Sequence, residues 1–199
     1  MILTQPLAKD HWKYSFDSYD APIIGRGSSG YVFEIDQDLV FKEFSEDEEG
    51  QLDFERETSI YGDLQRGSGS PYITKLIEKW RDGLVLERHS CTLRSRLQEK
   101  RPFSIERRTK WVIEACKGLA FLHQNGIMHG DVGCHNFLVD KEGHIKLCDF
   151  AGSKRKGEIA RVCYEVRGEH PDYRVGQPTL ATEIFSLVSF YSLNSDDLT

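Results

Sequence analysis

The first part of the chain is predicted to be a small β-sheet with one helix. Residues 23–24, 31–35 and 39–44 are short runs rich in β-branched and aromatic residues, with turn-forming residues between them. Two further strands are predicted at 73–80 and 84–87. Residues 45–50 are acidic and predict a loop, and apolar positions among charges at 52–64 predict one amphipathic helix.

The second part has the longer apolar periods of helices. Helices are predicted at 92–98 and 105–124, and Asn125-Gly126 is a typical helix end. Short strands at 137–139 and 145–147 flank the turn 140–143. Residues 152–180 show no clear period, and 181–193 form a final apolar segment followed by a polar tail. We therefore predict an α+β protein of two lobes: an extension at 1–19, an N-terminal lobe at 20–87 and a C-terminal lobe at 88–199.

Composition narrows the function classes. The chain has 199 residues, 39% of them apolar, which is enough for a packed core. Its net charge of -6 argues against a nucleic-acid-binding surface. The local basic clusters at 94–108 and 154–156 are interpreted as solvated faces. No apolar run is long enough for a transmembrane helix, so no membrane partner is expected.

Five cysteines, an odd number at scattered positions, do not describe a disulfide framework. The first residues lack the basic flank and apolar core of a secretory signal. We therefore expect an intracellular, cytoplasmic protein in a reducing compartment.

A glycine motif lies between the first two predicted strands. Gly25, Gly27 and Gly30 have the G-x-G-x-x-G spacing, and Lys42 follows Gly30 by twelve residues on the next strand. In a dinucleotide-binding fold the third glycine opens a helix, whereas here it opens a strand. Between strands, such glycines allow backbone N–H groups to approach phosphates. An ordinary glycine-rich hairpin is the simpler alternative.

Two acids and an amide form the second motif. Asp131 and Asn136 are five residues apart, and Asp149 follows Asp131 by eighteen residues, beyond a short hairpin. Oxygen ligands of this kind suit a phosphate-bound Mg²⁺. Two alternatives remain. Asp131 and Asn136 are also common turn residues, and a zinc site could use His129, Cys134, His135 and Cys148, although their spacing does not match a known zinc pattern.

The segments H-G-D-V-G-C-H-N at 129–136, D-F-A-G at 149–152 and G-L-A-F-L-H-Q-N-G-I at 118–127 resemble the protein-kinase superfamily. The resemblance extends over roughly 20–190 and implies ATP and Mg²⁺ as cofactors. It implies that Asp131 orients a substrate hydroxyl, that Asn136 and Asp149 hold metal, and that Glu57 pairs with Lys42, Glu55 being the alternative. The implied nucleotide-binding residues are Gly25, Gly27, Gly30, Val32, Val40, Lys42, Leu86, Glu87, His89, Leu138 and Asp149.

The motifs also depart from the family pattern. Gly130 replaces the arginine that receives a phosphorylated activation loop. Gly133 replaces the lysine or arginine that helps to neutralise the transferred phosphate, and Ala151 replaces the glycine of D-F-G. Glu183 stands where the family has an aspartate. The combination resembles a divergent kinase-like subset known from fungal genomes. His129, Phe150 and Tyr61 are expected to pack together and align the loop.

The resemblance implies transfer of the γ-phosphate to a serine or threonine hydroxyl of a protein substrate. One alternative is a pseudokinase or truncated module that binds nucleotide or a partner without turnover. Another is a small-molecule kinase, since H-G-D-x-x-x-x-N also resembles aminoglycoside and choline phosphotransferases. The chain stops soon after the segment that resembles helix αF. We therefore expect a partner or self-association to cover the apolar residues there.

Overall fold

The computed structural model describes residues 11–14, 16–67, 69–99, 102–161 and 170–192. Most of the predicted extension at 1–19, Cys163 and the polar tail lie outside these residues. No helix among the described residues is long and apolar enough to cross a membrane.

The first part of the chain forms a five-stranded antiparallel sheet. Its strands are β1 (Ile23–Gly27), β2 (Gly30–Glu34), β3 (Leu39–Phe44), β4 (Leu76–Trp80) and β5 (Gly83–Glu87), in the order β1-β2-β3-β5-β4. Ser28 and Ser29 form the tip of the β1–β2 hairpin, because Gly27 pairs with Gly30. The predicted strand at 73–80 is shorter than expected, since β4 comprises only its last five residues, four of which pair with β5.

One helix packs against this sheet. Helix α1 (Glu48–Leu64) begins four residues earlier than the sequence predicts. Asp47 explains the difference, because its side chain accepts a hydrogen bond of 2.7 Å from the Gly50 N–H and caps the helix. The residues that α1 buries include Phe54, Glu57 and Tyr61, so one carboxylate is included in its apolar face.

The second part is largely helical. Its helices are α2 (Leu93–Leu97), α3 (Ile105–Gln124) and α4 (Leu180–Ser192), and short strands lie before α2 and between α3 and α4. These strands are β6 (Cys91–Thr92), β7 (Ile127–Met128), β8 (Phe137–Val139), β9 (Ile145–Leu147) and β10 (Lys154–Arg155). Helix α3 has the predicted bounds, because the Ser104 side chain caps its start and Gly126, at φ 72°, follows its end.

A continuous hydrophobic core joins the two parts. Leu84 and Leu86 of β5 and Tyr61 of α1 belong to the same buried cluster as Leu119 of α3 and Phe150. A smaller cluster lies apart from it, where Trp12 packs with Phe33, Phe41 and Val85. The sequence did not predict that Trp12 would be part of a core. The fold is the predicted α+β architecture. The β1–β2 hairpin, the β8–β9 hairpin and α1 place the motif residues near one cleft.

Candidate active site

The glycine motif forms the β1–β2 hairpin above the cleft. Gly30 is at φ 146°, and a Cβ atom there would lie 2.0 Å from the backbone oxygen of Glu43, so no other residue fits without a backbone shift. A cavity of about 130 Å³ beneath the hairpin is bordered by Ser28, Ser29, Asp131 and Asp149 among others. The hairpin therefore covers the acids of the second motif.

A buried ion-paired cluster lies next to this cavity. Nζ of Lys42 is 2.6 Å from Oε2 of Glu57 and 2.7 Å from Oδ1 of Asp149. The side chain of Glu57 is fully buried, whereas Glu55 is exposed and hydrogen-bonded to Gln51. We call Lys42, Glu57 and Asp149 the ionic cluster. It joins β3 and α1 to the segment that follows β9.

The charges of the ionic cluster shift one another's pKa. Burial raises the pKa of Glu57 to about 7, although the ammonium of Lys42 opposes the rise. Burial works against the charged form of Lys42, but Asp149 and Glu57 outweigh it and raise the pKa of that ammonium. Burial also works to raise the pKa of Asp149, yet Lys42 prevails and the carboxyl pKa is lowered. Lys42 and Asp149 are therefore charged at neutral pH.

The backbone at Asp149 is strained. Its φ of 66° lies in the left-handed region, which few non-glycine residues adopt. The adjacent Phe150 is fully buried and packs edge-on against Tyr61 at a centroid distance of 5.1 Å and against His129 at 5.6 Å. The predicted packing of these three rings is confirmed, and it holds the strained residue in place.

His129 links the two acidic motifs. Its Nε2 donates to the backbone oxygen of Cys148 at 3.0 Å, and its Nδ1 accepts from the backbone N–H of Asp131 at 3.3 Å. The backbone N–H of Cys148 also donates to the backbone oxygen of Asn136 at 2.9 Å. Asp131, Asn136 and the residue before Asp149 are thus directly connected.

Asn136 and Asp149 present oxygen atoms that suit a hard cation. Nδ2 of Asn136 donates to the backbone oxygen and to Oδ2 of Asp131, at 2.9 and 3.0 Å, which leaves its Oδ1 as an acceptor. Oδ1 of Asp149 contacts Lys42, and about a third of the Asp149 side chain is exposed. Mg²⁺ is bound through few protein oxygens and retained water, so this pair fits it. No group of three or more His, Cys, Asp or Glu side chains suited to a metal occurs within the described ranges, and the zinc alternative has no such support.

The comparisons with known proteins agree with this geometry. The family model of the protein kinase domain matches residues 19–173. The chain belongs to the protein kinase family. Mitogen-activated protein kinase kinase kinase 1b of Physcomitrium patens is 30% identical over 155 residues, 71% of this chain and 20% of that protein. Mitogen-activated protein kinase kinase kinase dlk-1 of Caenorhabditis elegans is 30% identical over 178 residues, 84% of this chain and 18% of that protein.

A third relative, protein kinase C delta type of Homo sapiens, is 41% identical over 58 residues, 29% of this chain and 9% of that protein. The chain spans about a fifth of the length of the first two relatives. The comparisons thus cover the kinase domain and leave most of each relative outside the match.

The loop 129–136 is supported from outside its motif. The fully buried Glu183 of α4 accepts from the backbone N–H of Gly130 at 2.7 Å and lies 2.6 Å from Nε2 of His123. Gly130 is at φ 83°, where the arginine of the family pattern would be strained. The position of Glu183 was noted from the sequence, but its partner His123, sixty residues away, was not.

The segment after the D-F-A-G motif is fixed to α1 by three arginines. Arg56 donates to the backbone oxygens of Ser153 and Ile159, at 2.9 and 3.0 Å. Arg155 pairs with Asp63, and Nε of Arg161 lies 2.9 Å from Oδ1 of Asp53. From the sequence, residues 154–156 were interpreted as a solvated face, whereas Arg155 joins α1 to the segment after the D-F-A-G motif. No phosphate group is needed for these contacts.

The predicted nucleotide-contacting residues occupy several strands. Val32 lies opposite both Gly25 and Lys42, and Val40 pairs with Leu86. Leu138 lies on β8, opposite Lys146. These positions agree with an adenine pocket, which stays a prediction.

Two residues near the end of β5 have local partners. The Glu87 carboxylate pairs with Lys146 at 2.7 Å. The ring of His89 is buried and lies 3.4 Å from the Thr74 hydroxyl, and burial lowers its pKa. For both residues, only backbone groups were predicted to meet adenine.

Proposed function

We propose that this protein is an ATP- and Mg²⁺-dependent kinase that transfers the γ-phosphate to a serine or threonine hydroxyl of a protein substrate. The observation that supports it best is the ionic cluster. A lysine held by two carboxylates at 2.6 and 2.7 Å, directly below a glycine hairpin, is suited to receive phosphate oxygens. The strained Asp149 supports the same interpretation, because strain of this kind concentrates at functional sites.

In this proposal each residue has one task. Lys42 contacts the α- and β-phosphates and is positioned by Glu57. Oδ1 of Asn136 and the Asp149 carboxylate hold Mg²⁺, which when bound neutralises charge on the phosphate oxygens. Asp131 accepts a hydrogen bond from the substrate hydroxyl and orients it for in-line attack. The side chains of Val40, Leu86 and Leu138 enclose adenine, and the backbone of Glu87 and His89 meets its edge.

The cavity also has a part in this proposal. About 130 Å³ beneath the hairpin, bordered by Asp131 and Asp149, is the space that would receive the terminal phosphate and its metal. The adenine would lie outside this cavity, between the side chains of Val40, Leu86 and Leu138.

The test measures binding and transfer separately. ATP with Mg²⁺ should raise the melting temperature of the full chain more than ATP alone, and ³²P should pass to serine or threonine of a generic protein substrate. Asp149→Asn should remove the Mg²⁺-dependent part of the stabilisation and lower transfer by about 10³-fold. Asp82→Asn, the same change on an exposed carboxylate in the β4–β5 turn, is the matched control and should change neither.

The outcomes distinguish the proposal from its alternatives. Mg²⁺-dependent stabilisation without transfer to any protein would contradict the proposal and support a nucleotide-binding module. Transfer to an aminoglycoside or choline but not to protein would support a small-molecule kinase. Absence of stabilisation by ATP would exclude a nucleotide site of this kind.

A further inference from the structure

The space that a side chain of residue 133 would fill is occupied by the ring of His135. A Cβ atom on Gly133 would lie 2.6 Å from Cε1 and 2.7 Å from Nδ1 of His135, well inside contact distance. Gly133 is not among the glycines with positive φ, so its backbone accepts other residues. The glycine is therefore required by the neighbouring ring and not by the conformation of the loop.

The ring is held at both nitrogens. Nη2 of Arg94 lies 2.9 Å from Nδ1, and Oδ2 of Asp131 lies 2.9 Å from Nε2. A guanidinium only donates hydrogen bonds, so Nδ1 accepts. The ring hydrogen is consequently on Nε2, where it is donated to the carboxylate of Asp131.

Arg94 is itself fixed relative to the loop. It belongs to α2, and its backbone N–H donates to the oxygen of Cys134 at 2.9 Å. The side chains of His135 and Asp131 are 25% and 22% exposed, so both are largely withdrawn from water. Arg94, His135 and Asp131 thus form a continuous chain of hydrogen bonds from α2 to the cleft.

The two carboxylate oxygens of Asp131 differ in the hydrogen bonds that they accept. Within the described part of the chain, Nε2 of His135 and Nδ2 of Asn136 both donate to Oδ2. Oδ1 is then the oxygen available to a substrate hydroxyl. Two donors on one oxygen fix the carboxylate plane and the direction in which the other oxygen accepts.

We propose that His135, held by Arg94, is a positioning residue that orients Asp131 for phosphoryl transfer and occupies the place of a residue-133 side chain. The inference rests on the proposed kinase function. It assigns a role to a histidine that the kinase motif does not contain. It also explains how a loop with glycine at 130 and 133 keeps its catalytic carboxylate oriented.

The first test is the kinetics of His135→Ala. Loss of the ring frees the carboxylate to rotate, and we expect kcat to fall by about 10- to 100-fold. The KM for ATP and the stabilisation by Mg²⁺ and ATP should stay within about twofold, because Lys42 and Asp149 are unchanged. His135→Gln retains an N–H donor near the position of Nε2 and should recover most of the lost kcat.

The second test is a double-mutant cycle with Gly133→Ala. The new methyl group displaces the ring, so Gly133→Ala should lower kcat about as much as His135→Ala. In the His135→Ala background the space is empty, and Gly133→Ala should have no further effect. His144→Ala is the matched control. It breaks a histidine–carboxylate contact of 2.6 Å to Glu114 away from the cleft and should leave kcat unchanged.

The results separate this inference from the proposed function. Transfer by the wild type with unchanged kcat in His135→Ala would overturn the inference alone, and so would additive losses in the cycle. No transfer by the wild type would overturn both. Thermal unfolding of every variant identifies loss of folding, and if His135→Ala does not fold, His135→Gln and Gly133→Ala still test the role through kcat.

Discussion

The ionic cluster and the loop 129–136 are two neighbouring regions of one cleft that are supported in different ways. In the ionic cluster, the Lys42 ammonium contacts side-chain oxygens of Glu57 and Asp149 directly, and the resemblance to kinases had implied a role for each of the three residues. In the loop 129–136 the pattern's arginine and lysine are absent. Support comes instead from Glu183 and from Arg94 through His135.

The difference follows from burial. The side chains of Lys42 and Glu57 are 8% and 0% exposed, so replacing one charge would leave the other unpaired in a medium that solvates it poorly. The loop depends instead on hydrogen bonds, and the one that His135 makes to Asp131 joins side chains that are 25% and 22% exposed. Any donor at the right place can make such a bond, so the residue that makes it can change.

The largest effect should come from breaking the ionic cluster. Lys42→Met removes the ammonium that we propose contacts the phosphates, and we expect transfer to fall by about 10³-fold or more. The matched control is Lys141→Met, which removes a lysine paired at 2.7 Å with Asp38 on the surface. That variant should retain transfer, and equal losses in both would contradict the comparison.

A smaller effect should come from the support of the loop by α4. Glu183→Ala leaves the Gly130 N–H without its acceptor, and we expect the free energy of unfolding to fall by about 2–3 kcal/mol. Transfer should fall by about tenfold as the loop loses its anchor. Urea unfolding and steady-state kinetics measure the two losses. Glu183→Gln retains a carbonyl acceptor and should lose less of both.

Acidification should weaken the ionic cluster. Burial raises the pKa of Glu57 to about 7, so the negative charge opposite Lys42 is lost as pH falls through that value. We expect kcat/KM for ATP to fall by about tenfold from pH 8 to pH 6. Glu57→Gln should not show this fall of kcat/KM at acidic pH. An identical fall in both proteins would mean that another group causes it.

The raised pKa of Glu57 also makes the free energy of unfolding depend on pH. Folded Glu57 keeps its proton to about pH 7, whereas the ordinary value is 4.5. Its contribution to the free energy of unfolding is therefore fully present below pH 4.5 and is lost as pH rises to about 7. The difference in stability between wild type and Glu57→Gln should change over this range.

The smallest effect should come from the surface contacts of α1. Arg155 is paired with Asp63, and its side chain is 30% exposed, so Arg155→Ala should lower the free energy of unfolding by about 0.5–1 kcal/mol. Transfer should change by less than about threefold, because Arg56 and Arg161 still hold the segment. Loss of transfer as large as in Lys42→Met would show that this segment controls the cleft.

The local elements were determined by the sequence. Helix α3 and strands β3, β8 and β9 have the predicted bounds because periodicity, caps and turn residues act within a few positions. The motif segments at 118–127, 129–136 and 149–152 together were also sufficient to predict the family, which is confirmed. Asp47 was not recognised as a helix cap, so α1 begins about one turn earlier than the sequence predicts.

Only the tertiary structure decided which distant side chains meet. Arg94 and His135 are 41 residues apart, and His123 and Glu183 are 60 apart, so no spacing along the chain pairs them. Packing brings each pair together in a partly dry environment, where a donor without an acceptor is costly. The sequence thus determined the elements and the residues of the ionic cluster, and the fold decided which distant side chains contact Asp131 and Gly130.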